Sequence, residues 1–181
     1  MDRNKIEQAE GRAQQMTAKT KETRKYLRAC FWNINGIRGL YNLDTEQIKF
    51  LREMEIICLS ETWLLDEKLT PPVFLSDYNV ILSPANKEKS LGRPSGGLAV
   101  LYKSEMNVTQ IEITNLWIIC HYKQKKASYV IMYHYWKPTE DIAFCIEMLS
   151  ETLYTKLEQY SQSKWIIATL YTKLEAILMR F

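Results

Sequence analysis

Two runs decide how this chain folds: Leu27-Arg28-Ala29-Cys30-Phe31-Trp32-Asn33-Ile34-Asn35-Gly36, and Ile56-Ile57-Cys58-Leu59-Ser60-Glu61-Thr62-Trp63. The first is a β-rich strand over 27–34 that stops at the turn dipeptide Asn35-Gly36, with the turn carried on through Arg38-Gly39. Between the runs, Asp44 is an N-cap with Gln47 three residues on, and Ile48 and Leu51 give the helical spacing that lasts to Met54. The second run opens with four apolar residues in a row, the mark of a strand buried on both faces. Strand, helix and strand make a βαβ crossover, which places the two strands parallel. Both then end at the same sheet edge, where open α/β sheets collect ligands, and Asn33, Asn35 and Glu61 meet there. Glu61 is a hard oxygen donor of the kind Mg²⁺ takes, since that ion needs only one or two protein carboxylates when a phosphate completes its shell.

Outward from this unit, Pro71-Pro72 marks a loop and Tyr78–Leu82 a strand. Residues 83–97 form a polar excursion containing Lys87, Lys89 and Arg93. Four short β-rich runs follow at 98–102, 108–113, 116–122 and 128–135, for which an antiparallel meander is the economical pairing. After Pro138, Ile142, Cys145, Leu149, Leu153 and Leu157 fall at spacings of three and four, which predicts an amphipathic helix over 140–160. A last strand opens at Trp165-Ile166-Ile167. The class is mixed α/β, divided into a polar basic arm over 1–26, a folded body over 27–168 and a tail over 169–181.

Composition narrows the function. The 181 residues carry a formal charge of +3, but residues 1–28 hold eight basic and four acidic side chains, so the remaining 153 sum to −1. A broadly cationic nucleic-acid coat is excluded, and a basic arm touching phosphates is not. The four cysteines, Cys30, Cys58, Cys120 and Cys145, have no zinc-ligand spacing and read as reduced core thiols. Apolar runs such as 116–120 are far too short to span a membrane, and the opening Met1-Asp2-Arg3-Asn4-Lys5 leads into no apolar segment of the signal-peptide kind. The expectation is an intracellular protein, nuclear or cytoplasmic.

The motifs W-N-x-N-G (32–36), S-E-T-W (60–63), G-R-P-S-G-G-L-A-V-L (92–101) and a tyrosine shortly before a proline (Tyr135, Pro138) occur in that order, at strand ends. In this combination the chain resembles the endonuclease/exonuclease/phosphatase superfamily, and within it the apurinic-like endonuclease domains of non-LTR (LINE-type) retrotransposons, which accompany reverse transcriptases. The resemblance spans about Leu27 to Ile167. It implies a four-layer α/β sandwich of two mixed sheets and a Mg²⁺- or Mn²⁺-dependent phosphodiesterase acting on DNA. It also implies roles for single residues: Asn33 would hold the scissile phosphate, Asn35 would be the second polar position of that turn beside the metal, and Glu61 would bind the metal. Tyr135 would donate to the phosphate, with Tyr133, on the same strand face, as its rival.

Bland readings stand beside these. Asn-Gly is a common turn dipeptide, Tyr135 is a residue type that sheets favour for packing, and Arg93, Lys87 and Lys89 suit a solvated loop as well as one that faces DNA.

The departures from the family are equally informative. Its W-I-I strand continues into G-D-F-N, which activates water, and an S-D-H motif follows later. Here Trp165-Ile166-Ile167-Ala168 runs into Thr169-Leu170-Tyr171-Thr172-Lys173-Leu174-Glu175, an identical copy of residues 152–158. His121 and His134 lie inside predicted strands with no adjoining Asp. The expectation is a truncated, inactive member of the family. The alternatives are a non-enzymatic nucleic-acid-binding remnant or another phosphodiesterase of the superfamily.

Overall fold

The computed structural model describes residues 27–65, 68–87, 92–125, 127–136, 141–171 and 174–180. The basic arm over 1–26, Lys89 and Pro138 lie outside these residues. Strands β1 (Ala29–Asn33) and β2 (Ile56–Ser60) pair in parallel, Ala29 opposite Ile56 and Asn33 opposite Ser60, across helix α1 (Thr45–Glu53). Helix α1 forms where its cap is written. The Asp44 carboxylate accepts from Gln47 N–H at 2.8 Å and Gln47 Oε1 accepts from Asp44 N–H at 3.0 Å. At the other end the Tyr78 hydroxyl donates to the carbonyls of Met54 (2.5 Å) and Leu51 (3.2 Å), which satisfies acceptors the helix leaves open.

The antiparallel meander is only partly realised. Strand β4 (Leu98–Lys103) lies between β2 and β3 (Tyr78–Ser83), antiparallel to both, so the first sheet runs β1-β2-β4-β3. The meander proper is β5 (Val108–Ile113), β6 (Trp117–Lys123) and β7 (Ser128–Trp136). To it α2 (Ile142–Gln159) adds β8 (Lys164–Tyr171) parallel to β7, and β9 (Leu174–Arg180) folds back on β8. The two sheets are therefore both mixed, one of four strands and one of five.

Side-chain alternation builds four layers, because successive residues of a strand face opposite ways. Ile56, Cys58, Leu98 and Val100 of the first sheet meet Ile118, Cys120, Ile131 and Tyr133 of the second in one core. Their neighbours Ile57, Leu59, Ala99 and Leu101 face outward onto Leu51 and Met54 at α1. On the far side Trp117, Ile119, Val130, Met132 and Ile167 face Met148, Leu149 and Leu153 of α2. The predicted α2 face differs at one position: Leu157 is exposed, while Lys156 beside it is half-buried and pairs with Glu112 of β5 at 3.1 Å. Glu112 also accepts from Trp117 Nε1 at 2.8 Å, so an ion pair tacks the last turns of α2 to the sheet where an apolar contact was expected.

All four cysteines are free; Cys58, Cys120 and Cys145 are buried and Cys30 is partly so. Burial pushes the Cys30 and Cys120 thiols up to about 12, and Cys58 is raised as well, so none of these three is a nucleophile at neutral pH. Among the described residues no helix is long and apolar enough to cross a membrane.

Candidate active site

The chain leaves β1 and β2 through backbone that few side chains adopt. Asn35 has φ +50°, Gly36 +104°, Glu61 +56° and Trp63 +56°. The two departures are stitched together by the hydrogen bonds from Gly36 N–H to Glu61 C=O (2.7 Å) and from Ile37 N–H to Thr62 C=O (2.9 Å). Gly36 is required for a second reason: a Cβ there would lie 2.6 Å from the Trp63 ring. The loop before β4 closes the other side, with Thr62 N–H donating to Gly97 C=O (3.2 Å) and Trp63 N–H to Gly96 C=O (3.1 Å). Unfavourable φ angles held by this many contacts are the usual mark of a site whose geometry is over-determined by its surroundings.

Glu61 occupies the centre. Its Oε2 accepts from Trp63 Nε1 at 2.6 Å and from Gly96 N–H at 3.2 Å. Its Oε1 accepts from the Tyr135 hydroxyl, which joins the carboxylate at the end of β2 to the end of β7 in the other sheet. Asn33 Oδ1 accepts from Asn35 N–H at 3.1 Å, so the first asparagine shapes the turn that carries the second. Arg93 places its guanidinium carbon 4.3 Å from the centre of the Trp63 ring, a cation–π stack at the rim. Lys87 is exposed, with no ion pair among the described residues. Lys89 is outside them.

The two tyrosines of β7 separate cleanly. Tyr135 reaches Glu61, whereas Tyr133 is fully buried, its ring 5.8 Å from that of Phe31. Its hydroxyl has no hydrogen-bond partner among the described residues. Burial first and Cys58 second push the Tyr133 phenol well above its ordinary value; the Ser60 hydroxyl acts in the opposite direction, but the two groups fall short of hydrogen-bond geometry. The sequence motifs contain Trp63 and the paired glycines 96–97, the latter as a loop entering a strand, without assigning Trp63 or Gly96 a contact to Glu61. What was not visible was the positive φ that turns Trp63 back onto Glu61.

Neither histidine is near Glu61 chemically. His134 is buried between Trp117 (6.0 Å) and Trp136 (5.0 Å), and burial lowers its pKa to about 4. His121 lies toward the opposite end of the sheet, where its Nε2 meets Ser128 Oγ at 2.6 Å.

A four-layer sandwich of two mixed sheets, with amide, carboxylate and phenol side chains gathered at one edge, defines a fold of the endonuclease/exonuclease/phosphatase type. Among solved structures, the human Nocturnin catalytic domain, determined with a bound sulfate anion, superimposes with a TM-score of 0.53 at 17% identity, covering 79% of this chain and 62% of that domain. The endonuclease domain of TRAS1, a telomere-specific non-LTR retrotransposon, gives a TM-score of 0.49 at 14% identity over 80% of this chain and 58% of that one. The chain thus spans about three fifths of the length of these domains. No family model and no curated protein matches the sequence.

Proposed function

We propose that the Glu61 edge is the phosphodiester-binding front of a retrotransposon-type endonuclease site, and that this chain engages nucleic acid there without cleaving it efficiently. The observation that carries the reading is the Tyr135–Glu61 hydrogen bond. It brings the acid of the S-E-T-W segment, the asparagine turn and the tyrosine of the second sheet into one constellation. The order of the W-N-x-N-G, S-E-T-W and G-R-P-S-G-G segments supports the retrotransposon branch.

The donor set fits a hard divalent cation sparingly. Among the described residues no three His, Cys, Asp or Glu side chains gather, so Glu61 would be the single carboxylate, helped by the amide oxygens of Asn33 and Asn35 and by substrate oxygens. Mg²⁺ or Mn²⁺ held there would supply Lewis-acid polarisation of a phosphoryl oxygen. The protein's own groups do the rest. The Asn33 amide offers a donor to phosphate oxygens, the Tyr135 hydroxyl spends its one proton on orienting Glu61, and Arg93 adds positive charge over the Trp63 face, a surface on which a base or sugar can rest.

Among the described residues no proton acceptor for an attacking water stands beside Glu61. His134 is buried and stays neutral down to about pH 4, and His121 sits on β6 opposite Val130, toward the end of β7 away from Tyr135. At this edge β8 brings Leu170 opposite Tyr135, with no acid beside it in Thr169-Leu170-Tyr171. General-base catalysis is commonly worth 10²- to 10⁴-fold in rate, a loss that leaves binding intact.

The test uses the full chain with labelled duplex DNA and supercoiled plasmid. Affinity should rise with Mg²⁺ and fall steeply with salt, and Glu61→Gln should remove the Mg²⁺-dependent part. Nicking of the plasmid that Glu61→Gln abolishes would refute the loss of catalysis. Affinity indifferent to both Mg²⁺ and Glu61→Gln would refute the site.

A further inference from the structure

The half-buried indole of Trp63 is gripped at both ends of its ring system. Its Nε1 donates to Glu61 Oε2 at 2.6 Å, which fixes the pyrrole side beside the carboxylate. The six-membered side rests against the backbone of Gly36, where a Cβ would lie 2.6 Å from both Cε3 and Cζ3. Positive φ at Trp63 and at Gly36 makes this contact, so the ends of β1 and β2 together set the place of the ring. Over the ring lies the Arg93 guanidinium, its carbon 4.3 Å from the centre. Among the described residues no aromatic ring stacks on Trp63.

Arg93 is the loosely held half of this pair. It is exposed, and among the described residues it forms no hydrogen bond or ion pair, so the ring is its one anchor there. Gly92 before it has φ +123° and open space where a Cβ would stand, so nothing crowds the backbone from which the arginine swings. Beyond it the loop is pinned: Ser95 pairs with Asn86 through two backbone hydrogen bonds (2.9 and 3.1 Å), and Gly96 N–H donates to Glu61. A fixed ring thus faces a planar cation that can leave. An exposed cation–π contact is the weaker partner in such an exchange, because a nucleobase stacked on an aromatic ring holds more strongly.

We infer that the Trp63 face is a stacking platform for an unpaired nucleobase, and that Arg93 yields the ring to the base and moves to an adjacent phosphate. The inference rests on the reading of the Glu61 edge as a phosphodiester-binding front, and it names the form of the substrate: nucleic acid with an unstacked nucleotide beside the bound phosphate. In a continuous duplex the neighbours cover both faces of every base, so only a single strand, an overhang or a flipped nucleotide can offer one to the ring. The bond from Nε1 to Glu61 sets the platform next to the group proposed to engage the phosphate. A planar guanidinium already occupies the place of a planar base, and once displaced its forked N–H donors suit phosphate oxygens.

The experiment measures binding of the full chain, with Mg²⁺ at constant ionic strength, to a labelled DNA duplex carrying a short single-stranded overhang built either of adenine nucleotides or of abasic sugars. The two overhangs carry the same phosphates and differ only in their bases. The wild-type chain should bind the adenine overhang about tenfold more tightly, the scale of one base–aromatic stack. Trp63→Leu should remove that ratio, whereas Trp63→Phe, which keeps a ring and loses the Nε1 donor, should keep most of it. Arg93→Gln should preserve the ratio and lower the salt slope by about one phosphate contact. A wild-type ratio near one, an unchanged ratio in Trp63→Leu, its loss in Trp63→Phe as fully as in Trp63→Leu, or a salt slope indifferent to Arg93→Gln would each overturn the inference. The two readings fail separately. Binding that depends on Mg²⁺ and Glu61 but shows no base ratio overturns the platform alone. A base ratio that Trp63→Leu abolishes, in binding indifferent to Mg²⁺ and Glu61→Gln, supports the platform and overturns the phosphodiester reading.

Discussion

The molecule contains two βαβ units, β1-α1-β2 in the first sheet and β7-α2-β8 in the second, each with its helix on the outer face. They differ in how the second strand ends. β2 stops at Ser60 and the chain turns away through positive φ at Glu61 and Trp63, gathering three hydrogen bonds onto one carboxylate. β8 does not stop at Ala168; it continues to Tyr171 in register with Trp136 and returns as β9. Regular pairing satisfies backbone groups with backbone groups. A strained departure is where side chains are left to do chemistry. The second unit contributes Tyr135 to the hydrogen bonds on Glu61, whereas β8 runs on in regular register beside β7, and the proposed binding without efficient turnover rests on that contrast.

The end of β2 should therefore be the most fragile point of the fold. Gly97, at φ +86°, supplies the carbonyl that holds Thr62, and a Cβ there would collide with Thr62 Oγ1 and come within 3.2 Å of the Ala85 backbone nitrogen. Gly97→Ala should cost about 4 kcal/mol, strain and overpacking together, read as a shift of the denaturant midpoint at unchanged slope. A loss below about 1 kcal/mol would mean that the β2 end is as pliable as the β8 end, and the contrast would fail.

In the second unit the largest effect should come from pH. His134 has a pKa of about 4 in the folded protein because it is buried, against about 6.5 when unfolded. Above pH 6.5 both states are neutral and its contribution is fully present. Between 6.5 and 4 the unfolded chain takes up a proton that the folded chain refuses, so stability falls by about 3 kcal/mol in all, and below 4 this loss levels off. His134→Leu should flatten that segment of the stability–pH curve. An unchanged slope would place the loss elsewhere.

What was legible in the sequence follows the range of the interaction that fixes it. The α1 capping box lies within four residues, and Asp44 with Gln47 announced it. The position of β4 between β2 and β3 depends on partners as far apart as Ile56 and Tyr102, and an apolar run does not name its partner. Period-two alternation put Tyr133 and Tyr135 on one face and could not choose between them. The repeated heptapeptide shows the limit most plainly. Residues 152–158 are helical in α2, while residues 169–171 of the identical copy extend β8 alongside β7. Pairing along the β7 edge overrides the local preference of residues 169–171, as tertiary context commonly does.

The smallest effects sharpen the same contrast through the paired tyrosines. Tyr135→Phe removes a donor from the Glu61 carboxylate and should destabilise the fold by about 2 kcal/mol, the scale of a hydrogen bond to a charged group, while weakening any Mg²⁺-dependent binding. Tyr133→Phe removes a hydroxyl that is buried with no hydrogen-bond partner among the described residues. Deleting such a group relieves a desolvation cost, so stability should rise by roughly 1 kcal/mol with binding unaltered. Two identical substitutions two residues apart on one strand face should thus have opposite signs. If both destabilise, the Tyr133 hydroxyl is paired after all, with Ser60 the first partner to examine by a double-mutant cycle. If neither does, the Glu61 constellation is not held by Tyr135, and the end of β2 would have to be rigid through the Gly96-Gly97 loop alone.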